Sequence, residues 1–341
     1  MRVPPGLLTI VIPTRDRPEF LETCLRSVFE KQVNVPVIVS DNSTGSHAAM
    51  DVLRQRYGFT YVRQSGMLTA TEHFNTCVRL VPSAWVWMLH DDDELYPGAV
   101  ERMAACALQA DDVGIIIGGL QYIDAAGVTH VEWIPAAKDK LCAEPAALAL
   151  GLDPGAMSPG MIFRADAYER WGGFVEVGGH PADYTFVVGL AHNFGAAFVN
   201  EVVGRYRHGE HQETDVSTPE AAKAWLDFTI DMTRHTIDRI KCSKNTADQL
   251  LDRMTWFTFS ALIPQWRLSQ SRFVIQTCQE CLSVSPAQLA WQNAVREKYP
   301  MLFWRPAWFA SLMCQANGLA GRVARKLRQL TYMARSPKPV D

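Results

Sequence analysis

Apolar runs of strand length alternate with segments of helical periodicity through about the first 120 residues, and this alternation limits the possible fold more than any other feature. Residues 7–12, 35–40, 59–62 and 113–118 are strand-like, and the segments between them repeat apolar residues at the spacing of an amphipathic helix. Strands that alternate with helices form βαβ units, whose strands run parallel in one sheet. The sequence therefore predicts an α/β fold with a mostly parallel sheet flanked by helices.

Polar loops follow the predicted strands. In a parallel sheet these loops share the edge where the carboxyl ends of the strands meet, and ligands bind there. Residues 13–16, 41–43, 64–66 and 91–93 are the loops that this arrangement brings to one edge. They hold most of the unusual polar residues of the early chain, so we expect the ligand site along this edge.

The loop that starts at His90 is strongly acidic. An apolar segment of strand length, 84–89, precedes it, and Asp-Asp-Asp-Glu follows at 91–94. Carboxylates this close repel one another, and either water screens them or oxygen ligation of a divalent cation neutralises them. A second interpretation is a polar loop whose aspartates cap the next helix, which Pro97 and the apolar positions after it favour. The acidic run alone leaves both interpretations open.

Composition excludes several classes of protein. With 341 residues, 48% of them hydrophobic, and a formal net charge of -3, the chain has the balance of a globular protein and not of a nucleic-acid binder. It has no apolar stretch of about 18 residues and no signal-peptide core, so we expect a cytoplasmic protein. Long helical patterns begin after about 215, which predicts one domain over 1–214 and a helical C-terminal region over 215–341.

Four motifs, in order along the chain, resemble those of family 2 glycosyltransferases with the GT-A fold. Thr-Ile-Val-Ile-Pro-Thr-Arg-Asp-Arg-Pro at 9–18 resembles the family's opening strand and loop, and Val-Ser-Asp-Asn-Ser-Thr at 39–44 resembles its second-strand motif. Leu-His-Asp-Asp-Asp-Glu-Leu-Tyr-Pro at 89–97 resembles the metal-binding Asp-X-Asp segment. Trp-Gly-Gly-Phe at 171–174, with Asp183 after it, resembles the later Gly-Gly-Phe and Glu-Asp pair. The resemblance covers about 1–214 and implies a GT-A fold.

The resemblance implies a Mn²⁺ or Mg²⁺ site on the acidic run. Asp91 and Asp93 are the carboxylates that would hold the ion, with Asp92 beside them. A second register is also open. If His90 stands where the family has its first aspartate, the ligand becomes Asp92 and His90 is a departure from the family pattern.

The resemblance also implies which residues bind the nucleotide of a sugar donor. They lie in the loops at the sheet edge, and Asp41 stands where the family has the aspartate that faces the base. The implied set is Pro13, Thr14, Arg15, Asp41, Asn42, Gly66, Asn75, Asp91 and Asp92. A second interpretation of Asp41-Asn42-Ser43 is ordinary turn chemistry, because such residues hydrogen-bond to neighbouring backbone groups.

Residues after 180 complete the implied chemistry. Asp183 corresponds to the second member of the family's Glu-Asp pair, which implies the general base that takes the proton of the acceptor hydroxyl. The alternative role for Asp183 is a carboxylate favoured by the helix dipole at a helix N-terminus. In the family a histidine after the last core strand can complete the metal site, and His208 fits that position better than His211.

Together the motifs predict a metal-dependent inverting glycosyltransferase. It would move a sugar from a nucleotide-diphosphate donor, with a UDP-sugar favoured, to a glycan or lipid-linked acceptor in surface polysaccharide synthesis. Two alternatives stay open. A catalytically silent nucleotide- or glycan-binding module of the same fold would explain the departures at His90 and Ala182, whereas a nucleotidyltransferase is less favoured because the loop at 13–18 has no glycine.

The end of the chain is rich in aromatic and basic residues. Trp304 and Trp308 precede Arg322 and Arg325, a combination that suits contact with a membrane surface. Such contact, at the inner face of the membrane, would bring a lipid-linked acceptor close. The alternatives are a helix that packs on the catalytic domain and an oligomer interface.

Overall fold

A computed structural model of the chain describes residues 3–30, 34–45, 48–110, 112–152, 158–207 and 219–262. The predicted metal ligand His208, its alternative His211 and the predicted helices beyond 262 lie outside these residues. The strands are β1 (Leu8–Thr14), β2 (Val37–Asp41), β3 (Thr60–Arg63), β4 (Trp85–Met88), β5 (Glu94–Leu95), β6 (Ile115–Ile123), β7 (Thr129–Trp133), β8 (Met161–Arg164), β9 (Glu176–Val177), β10 (His180–Pro181) and β11 (Ala196–Arg207). The helices are α1 (Pro18–Phe29), α2 (Ala48–Tyr57), α3 (Ala70–Arg79), α4 (Ala99–Gln109), α5 (Ala143–Gly151), α6 (Ala165–Trp171), α7 (Asp183–Phe194), α8 (Pro219–Ile240) and α9 (Lys244–Leu262).

A nine-stranded sheet organises the described residues, in the order β3-β2-β1-β4-β8-β6-β11-β5, with β7 paired to β6. Neighbouring strands run parallel within β3-β2-β1-β4, and β6 and β11 are also parallel to each other. Strand β8 is antiparallel to both of its neighbours, β4 and β6. The predicted α/β fold, a mostly parallel sheet flanked by helices, is confirmed. The sequence Pro-Gly-Met-Ile-Phe-Arg at 159–164 predicts an edge strand. This prediction is wrong, because β8 lies inside the sheet with Met161, Ile162 and Phe163 buried.

Two hydrophobic layers cover opposite faces of the sheet. Strand β1 is buried along its whole length, and its residues alternate between the layers. Ile10 and Ile12 pack with α1, α2 and α4, and Val11 packs with the residues of α3, α5, α6 and α7. A strand between two helical layers needs apolar residues on both faces, which explains the almost unbroken apolar run at its start.

Part of helix α8 and most of α9 belong to the same compact unit as the sheet, which includes the described residues up to Arg207 and then Ile230–Met254. Within this unit Thr185 and Thr236 share a hydrogen bond of 2.8 Å, and the guanidinium of Arg239 lies 4.1 Å from the ring centre of Trp171. A second unit takes in 214–229 and the chain from 255 onward, of which 219–229 and 255–262 are described and helical. The boundary at 214/215 stays a prediction. Within the described part of the chain, every helix is too short or too polar to cross a membrane.

Candidate active site

The carboxyl ends of β1, β2 and β4 bring three of the predicted nucleotide-binding residues together. Thr14 lies opposite Asp41 in the parallel register of β1 and β2. The Thr14 hydroxyl donates a hydrogen bond of 2.7 Å to Oδ2 of Asp91. All three side chains are buried, so the three strands meet in a polar cluster at the expected edge of the sheet.

Asp41 is held as a carboxylate by its own neighbours. Tyr61 donates a hydrogen bond of 2.6 Å to Oδ2, the backbone N–H of Ser43 donates one of 2.8 Å to Oδ1, and Nη1 of Arg63 lies 3.6 Å from Oδ2. Burial alone raises the pKa of Asp41, but the Ser43 and Tyr61 hydrogen bonds and the Arg63 charge outweigh it and hold the pKa below its usual range. Sequence spacing gave no sign of Tyr61 and Arg63, which reach Asp41 from the neighbouring strand β3.

Asn42 joins the β2 loop to the loop that precedes α3. Its amide Nδ2 donates a hydrogen bond of 3.0 Å to the carbonyl of Leu68, and the Leu68 N–H donates one of 3.2 Å to its Oδ1. Gly66 turns this loop with φ +93°, a conformation that favours glycine. Nη2 of Arg15 lies 3.1 Å from the sulfur of the exposed Met67. Arg15 and Gly66 thus lie at the rim of the site, while Asn42 and Pro13 lie beneath it.

His73 connects helix α3 to the end of strand β2. Its Nε2 lies 2.9 Å from Oγ of Ser40, and the amide of Gln64 donates a hydrogen bond of 2.8 Å to the same hydroxyl. Burial lowers the pKa of His73 to about 4, so the ring is neutral at physiological pH.

Asn75, a predicted nucleotide ligand, has an amide that binds the glycine-rich loop before α7. Oδ1 accepts hydrogen bonds of 2.6 Å from the Tyr168 hydroxyl and 2.9 Å from the Phe174 N–H, and Nδ2 donates one of 3.0 Å to the Phe174 carbonyl. A Cβ on Gly173 would lie 2.7 Å from Oδ1 of Asn75, so only glycine allows this close approach. The role of Asn75 in nucleotide binding stays a prediction. In the structure its amide hydrogen-bonds to Tyr168 and to the backbone of Phe174.

Arg17 partly neutralises the start of the acidic run. Its Nη2 lies 3.0 Å from Oδ1 of Asp91, and its Nη1 lies 3.3 Å from Oδ2 of Asp92. Burial raises the pKa of Asp91 to about 7, although the Arg17 charge and the Thr14 hydrogen bond oppose the rise. Oδ2 of Asp91 therefore accepts a hydrogen bond, whereas Oδ1 has the Arg17 ion pair but no hydrogen-bond partner among the described residues.

Asp93 is buried and only half satisfied. Its Oδ1 accepts a hydrogen bond of 2.9 Å from the backbone N–H of Arg207, and its Oδ2 has no hydrogen-bond partner among the described residues. The side chain is 1% exposed. Burial and the neighbouring charge of Asp92 raise the pKa of Asp93 well above its usual range. An unpaired buried carboxylate oxygen is costly, and a cation at this point would remove that cost.

His90, Asp92 and Asp93 form a group that could hold a metal ion. One ligand atom from each lies within 4.8 Å of the other two. Like Oδ2 of Asp93, Nε2 of His90 is buried without a hydrogen-bond partner in the described part of the chain. Two carboxylates and an imidazole suit a divalent ion such as Mn²⁺. This grouping favours the second of the two registers considered above, with Asp92 as ligand, while the assignment of Asp91 stays a prediction.

Arg207 anchors the acidic run from strand β11. Its side chain is 5% exposed, donates hydrogen bonds to the carbonyls of Asp92, Asp124 and Ala125, and pairs with Glu94. Arg205, two residues earlier, binds the other oxygen of Glu94 at 2.6 Å. Sequence reasoning used the neighbouring His208 and missed both arginines.

Asp183, the predicted base, is the first residue of α7 and lies near the metal-binding group. Burial raises the pKa of its carboxyl, and the nearby His90 lowers it. His90 in turn stacks on Phe74 with ring centres 5.0 Å apart. The predicted base and the candidate metal ligands therefore share one region of the molecule.

A comparison with protein families matches residues 9–170 to Glycosyl transferase family 2. The chain carries a family 2 glycosyltransferase domain. Abequosyltransferase RfbV of Salmonella typhimurium is 31% identical to it over 96 residues, which are 26% of this chain and 29% of that protein. The chain spans about three tenths of the length of the curated relatives that it matches, 31% in one and 29% in the other.

Solved structures share the fold of this family 2 domain. TarS 1-349 of S. aureus, in complex with UDP-GlcNAc, has a TM-score of 0.60 and 14% identity, with 82% of each chain covered. The mannosyltransferase PcManGT of Pyrobaculum calidifontis, in complex with GDP-Man and Mn²⁺, has a TM-score of 0.53 and 15% identity, with 90% of this chain and 84% of that one covered. At such identities the likeness concerns the fold, and it confirms the predicted GT-A architecture.

Proposed function

We propose that this protein is a metal-dependent inverting glycosyltransferase that moves a sugar from a nucleotide-diphosphate donor. The observation that carries the proposal is the group formed by His90, Asp92 and Asp93, with Asp183 close to it. Two of its buried polar atoms, Nε2 of His90 and Oδ2 of Asp93, have no hydrogen-bond partner among the described residues. That arrangement suits a divalent cation that would neutralise the diphosphate of the donor.

Donor binding is assigned to the loops at the sheet edge. Arg17 supplies positive charge to the acidic run through Asp91, Arg15 lies at the rim of the site, and Asp41 is held as a carboxylate at the end of β2. A bound Mn²⁺ or Mg²⁺ would supply Lewis-acid neutralisation of the charge that develops on the leaving diphosphate. Asp92 and Asp93 are the carboxylates that would hold it, and His208 remains a proposed further ligand.

Asp183 is the proposed general base. A single displacement with inversion needs a carboxylate that takes the acceptor proton as the new bond forms. Because burial raises the pKa of Asp183, its carboxylate is a stronger base than an exposed aspartate. Its position beside His90 places it near the candidate metal group, where the reacting carbon of the donor would lie.

The donor class is supported by the comparisons, and the acceptor class by the resemblance to family 2 glycosyltransferases. Abequosyltransferase RfbV transfers an abequosyl group, as its name states, TarS was solved with UDP-GlcNAc, and PcManGT was solved with GDP-Man. We infer a UDP-sugar as donor and a glycan or lipid-linked acceptor of surface polysaccharide synthesis. Peripheral attachment at the inner face of the membrane through the C-terminal region 215–341 is part of the same proposal.

Two experiments test this function. Thermal stabilisation is measured with UDP, GDP, dTDP and CMP, each with and without Mn²⁺, since a ligand at about 100 times its dissociation constant adds about 2.7 kcal/mol. We expect one diphosphate to stabilise the protein in the presence of Mn²⁺, and Asp93→Asn to lose that effect. Asp51→Asn, a change at an exposed position of α2, is the control. Equal stabilisation with and without Mn²⁺ would exclude the metal assignment.

Donor hydrolysis and transfer separate the enzyme from a silent binding module. Asp183→Asn should keep the diphosphate stabilisation and lose transfer by a factor of about 10² or more. The silent module would be supported instead if the wild-type protein binds a diphosphate but does not hydrolyse the donor. It should then also fail to transfer the sugar to any acceptor in a panel of glycans.

A further inference from the structure

We propose that His90 is a direct nitrogen ligand of the metal and makes the site select Mn²⁺ over Mg²⁺. This inference rests on the proposed function and on the second register, in which His90 stands where the family has an aspartate. The structural basis is that His90 and Asp93 belong to one candidate metal group, and that each has a buried polar atom, Nε2 in His90 and Oδ2 in Asp93, without a hydrogen-bond partner in the described part of the chain.

Asp93 indicates that a cation belongs in this group. Its side chain is 1% exposed, and its Oδ1 is bound by the Arg207 N–H while Oδ2 is unpaired. The arginines around the acidic run are engaged elsewhere: Arg17 with Asp91 and Asp92, and Arg205 and Arg207 with Glu94. Among the described ion pairs none joins an arginine or lysine to Asp93. The Arg207 charge lowers the pKa of Asp93 but does not outweigh its burial and the charge of Asp92, and a bound cation would supply the remaining positive charge.

The His90 ring is held in place for ligation. It stacks on Phe74, with ring centres 5.0 Å apart and an angle of 23° between the planes, and Phe74 in turn packs edge-on against Phe174 at 5.8 Å. One ring nitrogen lies within 4.8 Å of carboxylate oxygens of Asp92 and Asp93. A fixed ring loses little freedom when it binds a metal, which favours ligation.

The alternative role for His90 is a hydrogen bond to Asp183. In the described structure no hydrogen bond joins the two side chains, although His90 is near enough to oppose the rise in the pKa of Asp183 that burial causes. One ring nitrogen of His90 is grouped with carboxylate oxygens of Asp92 and Asp93 instead. A metal bound through Nε2 of His90 and Oδ2 of Asp93 would give both buried atoms a partner, whereas an Asp183 contact would leave Oδ2 of Asp93 unpaired.

An imidazole ligand changes which ions the site prefers. Mg²⁺ binds oxygen ligands in strict octahedral geometry and gives up water reluctantly. Nitrogen ligands favour first-row transition ions, with affinity that rises from Mn²⁺ to Co²⁺ and Ni²⁺. An aspartate at this position would add a negative charge and a hard oxygen, which favours Mg²⁺. His90 therefore sets the ion preference of the site.

The test measures metal binding directly. Mn²⁺ affinity is obtained from the electron spin resonance signal of the free ion, and Mg²⁺ affinity from its competition with Mn²⁺. Wild type, His90→Asp and His90→Gln are compared, with His235→Asp, at an exposed position of α8, as the matched control. We expect the preference for Mn²⁺ over Mg²⁺ to fall at least about tenfold in His90→Asp and to be unchanged in His235→Asp.

Electron spin echo modulation of bound Mn²⁺ gives a second readout, because it detects the nitrogen of a ligated imidazole. The nitrogen modulation should be present in wild type and in His235→Asp, and absent in His90→Asp. Near-UV circular dichroism establishes that each variant is folded. If Mn²⁺ binds wild type without nitrogen modulation and with an ion preference like that of His90→Asp, the inference is wrong while the glycosyltransferase proposal stands. If Mn²⁺ does not bind wild type, even with UDP or GDP present, both the inference and the metal assignment fail.

Discussion

Arg207 should contribute more to stability than any surface ion pair of this domain, because it holds the acidic run from within the protein. Its guanidinium donates hydrogen bonds of 2.9 Å to the Asp92 carbonyl, 3.0 Å to that of Asp124 and 3.1 Å to that of Ala125. It also binds Glu94 at 2.5 Å. Arg207→Met keeps an unbranched apolar stem and removes the guanidinium with every one of these bonds.

The expected loss follows from the number and kind of these bonds. A hydrogen bond between neutral groups adds about 1 kcal/mol, one to a charged group about 1.5–3 kcal/mol, and a buried pair that loses one partner costs about 3–5 kcal/mol. Water that enters the vacated space offsets part of the total. We expect Arg207→Met to lower the free energy of unfolding by about 3–5 kcal/mol, a large fraction of the 5–15 kcal/mol typical of a domain.

Urea unfolding followed by circular dichroism measures this loss, with Arg205→Met as the matched control. Arg205 lies on the same strand and binds the same Glu94, but its side chain is 26% exposed and has fewer buried acceptors. It should therefore cost about 1.5 kcal/mol or less. If Arg207→Met is within about 1 kcal/mol of Arg205→Met, the buried network does not carry the stability assigned to it.

Further predictions concern pH, a helix cap and packing. Because the pKa of His73 is about 4 in the folded protein and about 6.5 when unfolded, the unfolded chain binds more protons below pH 6.5, so stability falls as the pH drops towards 4. Urea unfolding should show a loss of about 2 kcal/mol from pH 8 to pH 5 in wild type, and a clearly smaller loss in His73→Gln. Thr69→Ala removes the capping box of α3 and should cost about 1 kcal/mol in urea unfolding, while Thr69→Ser should recover most of it. Gly189→Ala would place a Cβ 2.2 Å from Trp171 and should lower the melting temperature by an amount equivalent to about 1–3 kcal/mol, and an unchanged melting temperature would contradict the packing described.

Local sequence pattern predicted the fold well because the first half of the chain is built from βαβ units with short-range signals. The apolar run at 7–12 became β1, and the periodic segment at 19–30 became α1. The position of β8 was not predictable in this way. Its short apolar run has the same local pattern at an edge or inside a sheet, and only its pairing with β4 and β6 decides between them.

The site was predictable in its location but not in its internal partnerships. The acidic run was visible at 91–94, yet the partners of each carboxylate in it are residues far away in the chain. Thr14 and Arg17 engage Asp91 from β1 and the loop after it, and Arg207 reaches Asp93 from β11. Spacing between neighbours cannot reveal which of several adjacent carboxylates a distant arginine neutralises.

Asn75 connects two parts of the domain that carry different tasks. It lies on α3, the helix that follows the donor-side loop at 64–69, and its amide binds Phe174 in the loop that leads towards Asp183. A shift of α3 that accompanies donor binding would be passed to that loop through these hydrogen bonds. Thermodynamic linkage then requires reciprocity: the factor by which a bound donor changes acceptor affinity equals the factor by which a bound acceptor changes donor affinity. Asn75→Ala, which removes these hydrogen bonds, would reduce both factors together.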